Sequence, residues 1–289
     1  MLNFSALSKS SSSTSTRRRF VGGALAAAAA VTMLAGCATP TQPAASATTA
    51  AADTSPKPTI VMVHGAWSDA SPFDEVGSQL REDGYTVVNF ANPLRSLSGD
   101  TDYLTSFLDT RTTGPVILVG HSYGGALIGG AATTDPDVKG LVYLNAFVPE
   151  AGENILELAA HAGPVDAAAL FDMAEFPGEH NVDLYLKPAT FAGGFANGLT
   201  EDQQAEYFAK QRPITYAALS EPAGEQAWTT LPSWYVAGTE DHSIDIETQR
   251  WMAERAGSTL TEVDASHLSM VAEPEIVTDV IKDAAAATD

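Results

Sequence analysis

The sequence predicts an α/β fold, a mostly parallel sheet flanked by helices with a helical cap inserted into it. Three observations carry this. Short apolar runs rich in Val and Ile recur from Thr59 to the segment before His267. Stretches with apolar residues at helical spacing separate those runs. From Val148 to about Thr230 the alternation lapses and helical patterns take over. Strands that alternate with helices are most simply joined as parallel neighbours covered on both faces. At 289 residues and 45% hydrophobic, the chain can bury a sizeable core. No internal repeat is visible.

Taken in order, "TIVMVHG" (Thr59 to Gly65) is a β-branched apolar run closed by glycine, the pattern of a buried strand. "SPFDEVGSQLREDG" follows with Phe73, Val76 and Leu80 at helical spacing and a stop at Gly84. "TVVNF" (Thr86 to Phe90) is the second strand, and Tyr103, Leu104, Phe107 and Leu108 mark the second helix. "VILVG" is the third strand. The small-residue run "GGALIGGAA" after Ser122 suits a helix packed close to a sheet, and "GLVYLNAF" (Gly140 to Phe147) is the fourth strand. In the cap, "ENILELAAHA" and "TEDQQAEYFAKQ" read as helices, "FAGGFANG" interrupts them, and no convincing buried strand is seen. Phe171, Phe191, Phe195, Phe208 and Trp228 either line a pocket or form the cap's own core, since both uses draw on the same residues. "SWYVAG" (Ser233 to Gly238) resumes the strand pattern, "ETQRWMAERAG" reads as a helix, and "TLTEVDASH" carries a last strand into His267.

The first residues read as an address. Residues 1–36 hold Lys9, Arg17, Arg18 and Arg19 and no acidic residue, and "VGGALAAAAAVTMLAGC" is apolar but short for a bilayer span. "TRRRF" resembles a twin-arginine export signal, and "LAGC" (Leu34 to Cys37) resembles the lipobox of bacterial lipoproteins. Together they imply cleavage before Cys37, a lipid on its sulfur, and an exported protein of the cell envelope held to a membrane through that residue. Residues 37–58, rich in Ala, Thr, Pro and Ser, read as a flexible spacer. Cys37 is the only cysteine, so no internal disulfide forms. With 15 Lys and Arg against 36 Asp and Glu, the net charge of -21 would repel a polyphosphate, which argues against a nucleic-acid partner.

Gly120-His121-Ser122-Tyr123-Gly124 fits G-x-S-x-G, in which a serine sits on a tight strand-to-helix turn and small neighbours permit the close approach. The pattern alone is common, but here a buried strand precedes it and a small-residue helix follows. The helix start brings backbone N–H groups near the hydroxyl, which favours a developing oxyanion. A serine hydroxyl needs a base to take its proton and a carboxylate to orient that base. His267 in "VDASHLSM" and Asp241 in "VAGTEDHSI" each follow an expected strand, where open α/β sheets bind ligands. Of the other histidines, His161 and His180 fall in the cap, His121 faces a different way from Ser122, and His242 is a loop neighbour of Asp241. Asp264 is too near His267 along the chain and Glu240 is one position off the turn. In "HGAW" (His64 to Trp67) a glycine lets the backbone turn the Ala66 N–H inward as one oxyanion donor, with the Tyr123 N–H as the other.

"VMVHGAW", "LVGHSYGG", "GTEDHSI", "ETQRWM" and "VDASHLSMVAEPE" together resemble an α/β-hydrolase of the branch that holds plant methyl-ester esterases, hydroxynitrile lyases and many bacterial esterases. The resemblance covers the whole folded part and is weakest in the cap. It implies Ser122, Asp241 and His267 as a catalytic triad, Ala66 and Tyr123 as backbone donors, an ester substrate, and no metal or cofactor. Lyases of the branch carry a threonine in the first loop and a lysine after the histidine, where this chain has Gly65 and Leu268. A neutral apolar side chain cannot stabilise departing cyanide, so the expectation is ester hydrolysis through an acyl-enzyme, on small apolar or aromatic substrates. An acyltransferase or lyase-like enzyme, and a lipid-tethered binding protein with an idle triad, are the alternatives. Oligomeric state is not legible.

Overall fold

The computed structural model describes residues 57–164, 166–177 and 181–288. The expected export segment, Cys37, nearly all of the spacer and His180 lie outside the described residues. The element order follows the alternation read from the sequence. Strands β1 (Thr59–Val63), β2 (Val87–Phe90), β3 (Val116–His121) and β4 (Val138–Leu144) come first. A cap then holds β5 (Phe171–Glu175), β6 (Val182–Leu186) and β7 (Ile214–Thr215). Strands β8 (Ser233–Gly238) and β9 (Thr259–Val263) complete the main sheet. Its spatial order is β2-β1-β3-β4-β8-β9, with every neighbouring pair parallel.

All six residues of β3 are buried, so the sheet is covered on both faces at its centre. Helices Asp74–Glu82 and Pro274–Ala287 pack together, and Leu97–Arg111 packs against Gly124–Ala131. The helix Leu97–Arg111 starts where the Ser96 hydroxyl accepts from the Gly99 N–H, and its buried stripe includes Leu104 and Leu108. The helix Gly124–Ala131 can lie close to the sheet because its residues are small. A Cβ on Gly124 would fall 2.4 Å from the Val63 carbonyl oxygen, and one on Gly125 would fall 2.5 Å from that of Phe147.

The cap differs from its reading as purely helical. β5, β6 and β7 form a three-stranded antiparallel sheet, with Phe171 opposite Leu186 and Leu184 opposite Ile214. Phe171, Leu184, Leu186 and Ile214 are buried while Asp172, Ala174 and Tyr185 are exposed. These strands are short and half-exposed, so they lack the continuous apolar run by which a buried parallel strand is recognised. The expected helices are present but shorter. Ile155–Ala159 begins in an Asn154/Glu157 capping box and Glu201–Ala209 in a Thr200/Gln203 one. The fourth strand ends at Leu144 rather than Phe147, and the last ends at Val263, leaving a four-residue segment to carry His267. Among the described residues no helix is long and apolar enough to cross a membrane.

At the carboxyl end of β1 the chain is tied to its surroundings by His64. Its Nε2 accepts from the Asn92 N–H at 3.1 Å and from the Arg212 guanidinium at 3.3 Å. Nδ1 therefore carries the hydrogen and donates to the Gly65 carbonyl at 2.9 Å. The Asn92 side-chain amide returns a bond to the His64 carbonyl at 3.0 Å. Burial, more than any neighbouring charge, lowers the His64 pKa from 6.5 to about 4. In the unfolded chain this ring takes a proton near pH 6.5, and the folded state refuses it down to about pH 4. The stabilisation is therefore complete above pH 6.5 and is lost as pH falls to about 4, by about 3 kcal/mol. Urea unfolding of His64→Asn across that window is expected to show a shallower loss of stability with falling pH than the parent. Equal slopes would contradict a neutral, buried His64.

Candidate active site

Ser122 sits in the two-residue turn, Ser122–Tyr123, between β3 and the helix Gly124–Ala131, with φ of +53°. A non-glycine residue in this left-handed region costs about 1–3 kcal/mol and persists only where its surroundings fix it. They do: the Ser122 N–H donates to the Leu144 carbonyl at 3.2 Å, and the Ser122 carbonyl accepts from the N–H groups of Gly125 at 3.0 Å and Phe147 at 3.1 Å. Gly65 supplies the matching space. A Cβ there would lie 2.6 Å from Ser122 Cβ and 3.2 Å from its Oγ.

Asp241 and His267 meet in the interior. His267 Nδ1 donates to Asp241 Oδ2 at 2.8 Å, with both side chains essentially inaccessible to solvent. With Nδ1–H committed to Asp241, Nε2 is the ring nitrogen left to act as an acceptor. The Asp241 carboxylate is held on every side. Oδ1 accepts from the N–H groups of Ser243 at 2.7 Å and Ile244 at 3.0 Å. Oδ2 also accepts from Asn145 Nδ2 at 2.9 Å and Gln249 Nε2 at 3.1 Å. Five donors on one buried carboxylate offset its desolvation and leave it a single orientation. The His267 carbonyl in turn accepts from His121 Nε2 at 3.0 Å, and the two rings lie 4.7 Å apart. Burial, followed by the neighbouring His267, pushes the His121 pKa well below its ordinary value, so this second imidazole stays neutral.

Ser122, His267, Ala66 and Tyr123 line one cavity of about 470 Å³. Among the described residues, neither the Ala66 N–H nor the Tyr123 N–H is spent on another acceptor. The Tyr123 ring points away into the interior, where its hydroxyl donates to Asp100 Oδ2 at 3.0 Å. Burial raises the Asp100 pKa, and Asp100 also accepts from the Arg95 N–H at 3.1 and 3.0 Å. The rest of the wall is mainly apolar, with Phe147, Ile155, Leu156, Leu170 and Leu219 among its residues. Among the described residues that line it, Asp166 and Asp245 are the acids and none is Lys or Arg. Among the described residues no group of three or more His, Cys, Asp or Glu side chains is placed to hold a metal ion.

The residues singled out from the sequence thus fall into two groups. Ser122, Asp241, His267, Ala66 and Tyr123 converge. His161 does not: it stacks on Trp251 with ring centroids 4.2 Å apart. His242 lies on the cavity wall, its Nδ1 paired with the Gly193 carbonyl at 3.1 Å. Of the five cap aromatics, Phe171 lines the cavity, whereas Phe191 packs against both Phe195 and Phe208 as cap core. The sequence reading missed Asn145 and Gln249. An asparagine placed directly after the hydrophobic run Leu141–Leu144 is the sequence signal that marks Asn145, which the structure buries with φ of +45°. Gln249 carries no such mark within its helix Ile246–Arg255.

A model of the alpha/beta hydrolase family matches residues 60–280. Methylesterase 8 of Arabidopsis thaliana is 25% identical over 248 residues, covering 76% of this chain and 86% of the relative. The carbendazim hydrolyzing esterase of Nocardioides sp. is 35% identical over 124 residues, 39% of this chain, and the match spans about half of that relative (51%). The crystal structure of polyneuridine aldehyde esterase superposes with a TM-score of 0.70 at 21% identity, over 78% of this chain and 98% of that one. The six-stranded parallel sheet, the strand-to-helix turn at Ser122 and this match over most of the folded chain place the protein in the alpha/beta hydrolase family.

Proposed function

We propose that the protein is a serine carboxylesterase acting on small, neutral, apolar or aromatic esters. The observation that carries this reading is the buried 2.8 Å contact between His267 Nδ1 and Asp241 Oδ2, with His267 on the wall of the cavity that Ser122 also lines. His267 Nε2 takes the Ser122 proton as Oγ attacks the ester carbonyl. The Ala66 and Tyr123 N–H groups receive the oxyanion. His267 then protonates the departing alcohol, and a water activated by the same imidazole releases the acid from the acyl-enzyme. The names of the similar proteins support an ester: a methylesterase, a carbendazim hydrolyzing esterase and a pyrethroid hydrolase of Sphingobium wenxiniae. Gly65 weighs against a lyase-like site, because a threonine there would drive its Cβ into Ser122 unless the backbone moved.

The lining sets the substrate's charge. Two carboxylates and, among the described lining residues, no Lys or Arg disfavour an anionic substrate and favour departure of the carboxylate product.

Hydrolysis of p-nitrophenyl esters by Ser122→Ala is expected to fall by about 10³-fold or more, with the fold retained by circular dichroism. Substantial residual turnover would overturn the nucleophile. With a pair of esters of equal size, one neutral and one bearing a free carboxylate, kcat/KM is expected to be lower for the anion, and the gap to narrow as salt is added. Equal turnover of both would remove the preference for neutral substrates.

A further inference from the structure

Trp67 is the odd residue of the first loop. It is a bulky aromatic with φ of +54°, a conformation that its size makes unfavourable. Its indole Nε1–H donates to the Leu184 carbonyl on β6 at 2.9 Å. Its ring stacks on Phe171 of β5, with centroids 5.2 Å apart and planes at 21°, and meets the edge of Phe195 at 6.4 Å. Its backbone N–H donates to the Arg212 carbonyl at 3.1 Å. All four partners belong to the cap, whereas Trp67 itself belongs to the loop that leaves β1. Arg212 also reaches back to His64 at the other end of the same loop. Gly65 and Ala66 are thus suspended between two pinned residues, and the cap supplies a pin at each end.

We propose that Trp67 is a positioning residue through which the cap holds the Ala66 N–H on the oxyanion. This rests on the esterase reading above and adds to it that the cap is part of the machinery for transition-state binding as well as a cover on the cavity. Strain at Trp67 is tolerated because its cap contacts over-determine it. Loosening those contacts lets the backbone between His64 and Trp67 relax. The penalty then falls on the tetrahedral intermediate, whose oxyanion needs the donor in place, more than on the ester ground state.

The test uses Trp67→Phe, which keeps an aromatic ring but removes the indole N–H, and Phe171→Leu, which removes the stacking partner from the cap side. Active sites are titrated with a fluorophosphonate so that rates refer to competent enzyme. Both variants are expected to lose kcat by about tenfold, a fraction of the effect of deleting an oxyanion donor, with KM changed by less than about twofold. Affinity for a trifluoromethyl ketone, which forms a tetrahedral adduct, is expected to fall by the same factor as kcat/KM. Amide hydrogen exchange over residues 60–70 is expected to quicken in Trp67→Phe, a readout that needs no turnover. A kcat per titrated site within twofold of the parent, or unchanged exchange in this segment, overturns the positioning role. A parent enzyme with no Ser122-dependent esterase activity is the distinct failure of the esterase reading, and the exchange measurement still decides whether the cap holds the loop.

Discussion

The site depends on how closely pieces of backbone approach one another around Ser122. The helix that follows Ser122 runs against the carboxyl end of β1, and Gly124 leaves no room there for even a methyl group. Gly65 lies against Ser122 in the same way, and Gly120 against Gly124, where a Cβ would meet the carbonyl oxygen at 2.8 Å. This packing forces Ser122 into its left-handed turn and lifts its side chain out of the sheet toward the cavity. The local strain is balanced by the sheet and helix hydrogen bonds on either side, so a cooperative core maintains a conformation that the serine alone would not adopt.

A second constraint acts on the polar groups behind the cavity. A carboxylate this deeply buried is costly unless its oxygens are saturated, and Asp241 reaches that state only because a turn, a strand end and a helix all aim donors at it. The backbone N–H groups of Ser243 and Ile244 come from the turn itself, so any aspartate at that position gains them. Asn145 and Gln249 are specific additions that fix Oδ2, the oxygen that accepts the hydrogen bond from His267 Nδ1–H. Asn145 brings β4 into the site, and with it the strand that also holds the Ser122 N–H through Leu144. Ser122 and Asp241 are thereby held by the same piece of backbone.

Much of this was legible in the chain because each feature leaves a local mark. The parallel strands are continuous apolar runs, Ser122 stands between glycines, and Asp241 and His267 follow strand ends. The cap sheet was not legible: β6 shows only a short alternation over Val182–Leu186, β7 is two residues long, and both are fixed by tertiary pairing rather than by their own pattern. The question of pocket against core for the cap aromatics was likewise decided by packing. Phe171 faces the cavity because Trp67 lies across from it, whereas Phe191 is enclosed by Phe195 and Phe208. Gln249 illustrates the remaining limit, since a glutamine in a helix looks the same in sequence whether it faces water or completes a buried carboxylate.

If Ser122 is an activated nucleophile, covalent labelling reveals it without a substrate. Incubation with a fluorophosphonate followed by intact-mass measurement and peptide mapping is expected to give one adduct per chain, on Ser122, with labelling slowed strongly in His267→Ala. An unlabelled Ser122, or an adduct on a different serine, would exclude Ser122 as the nucleophile.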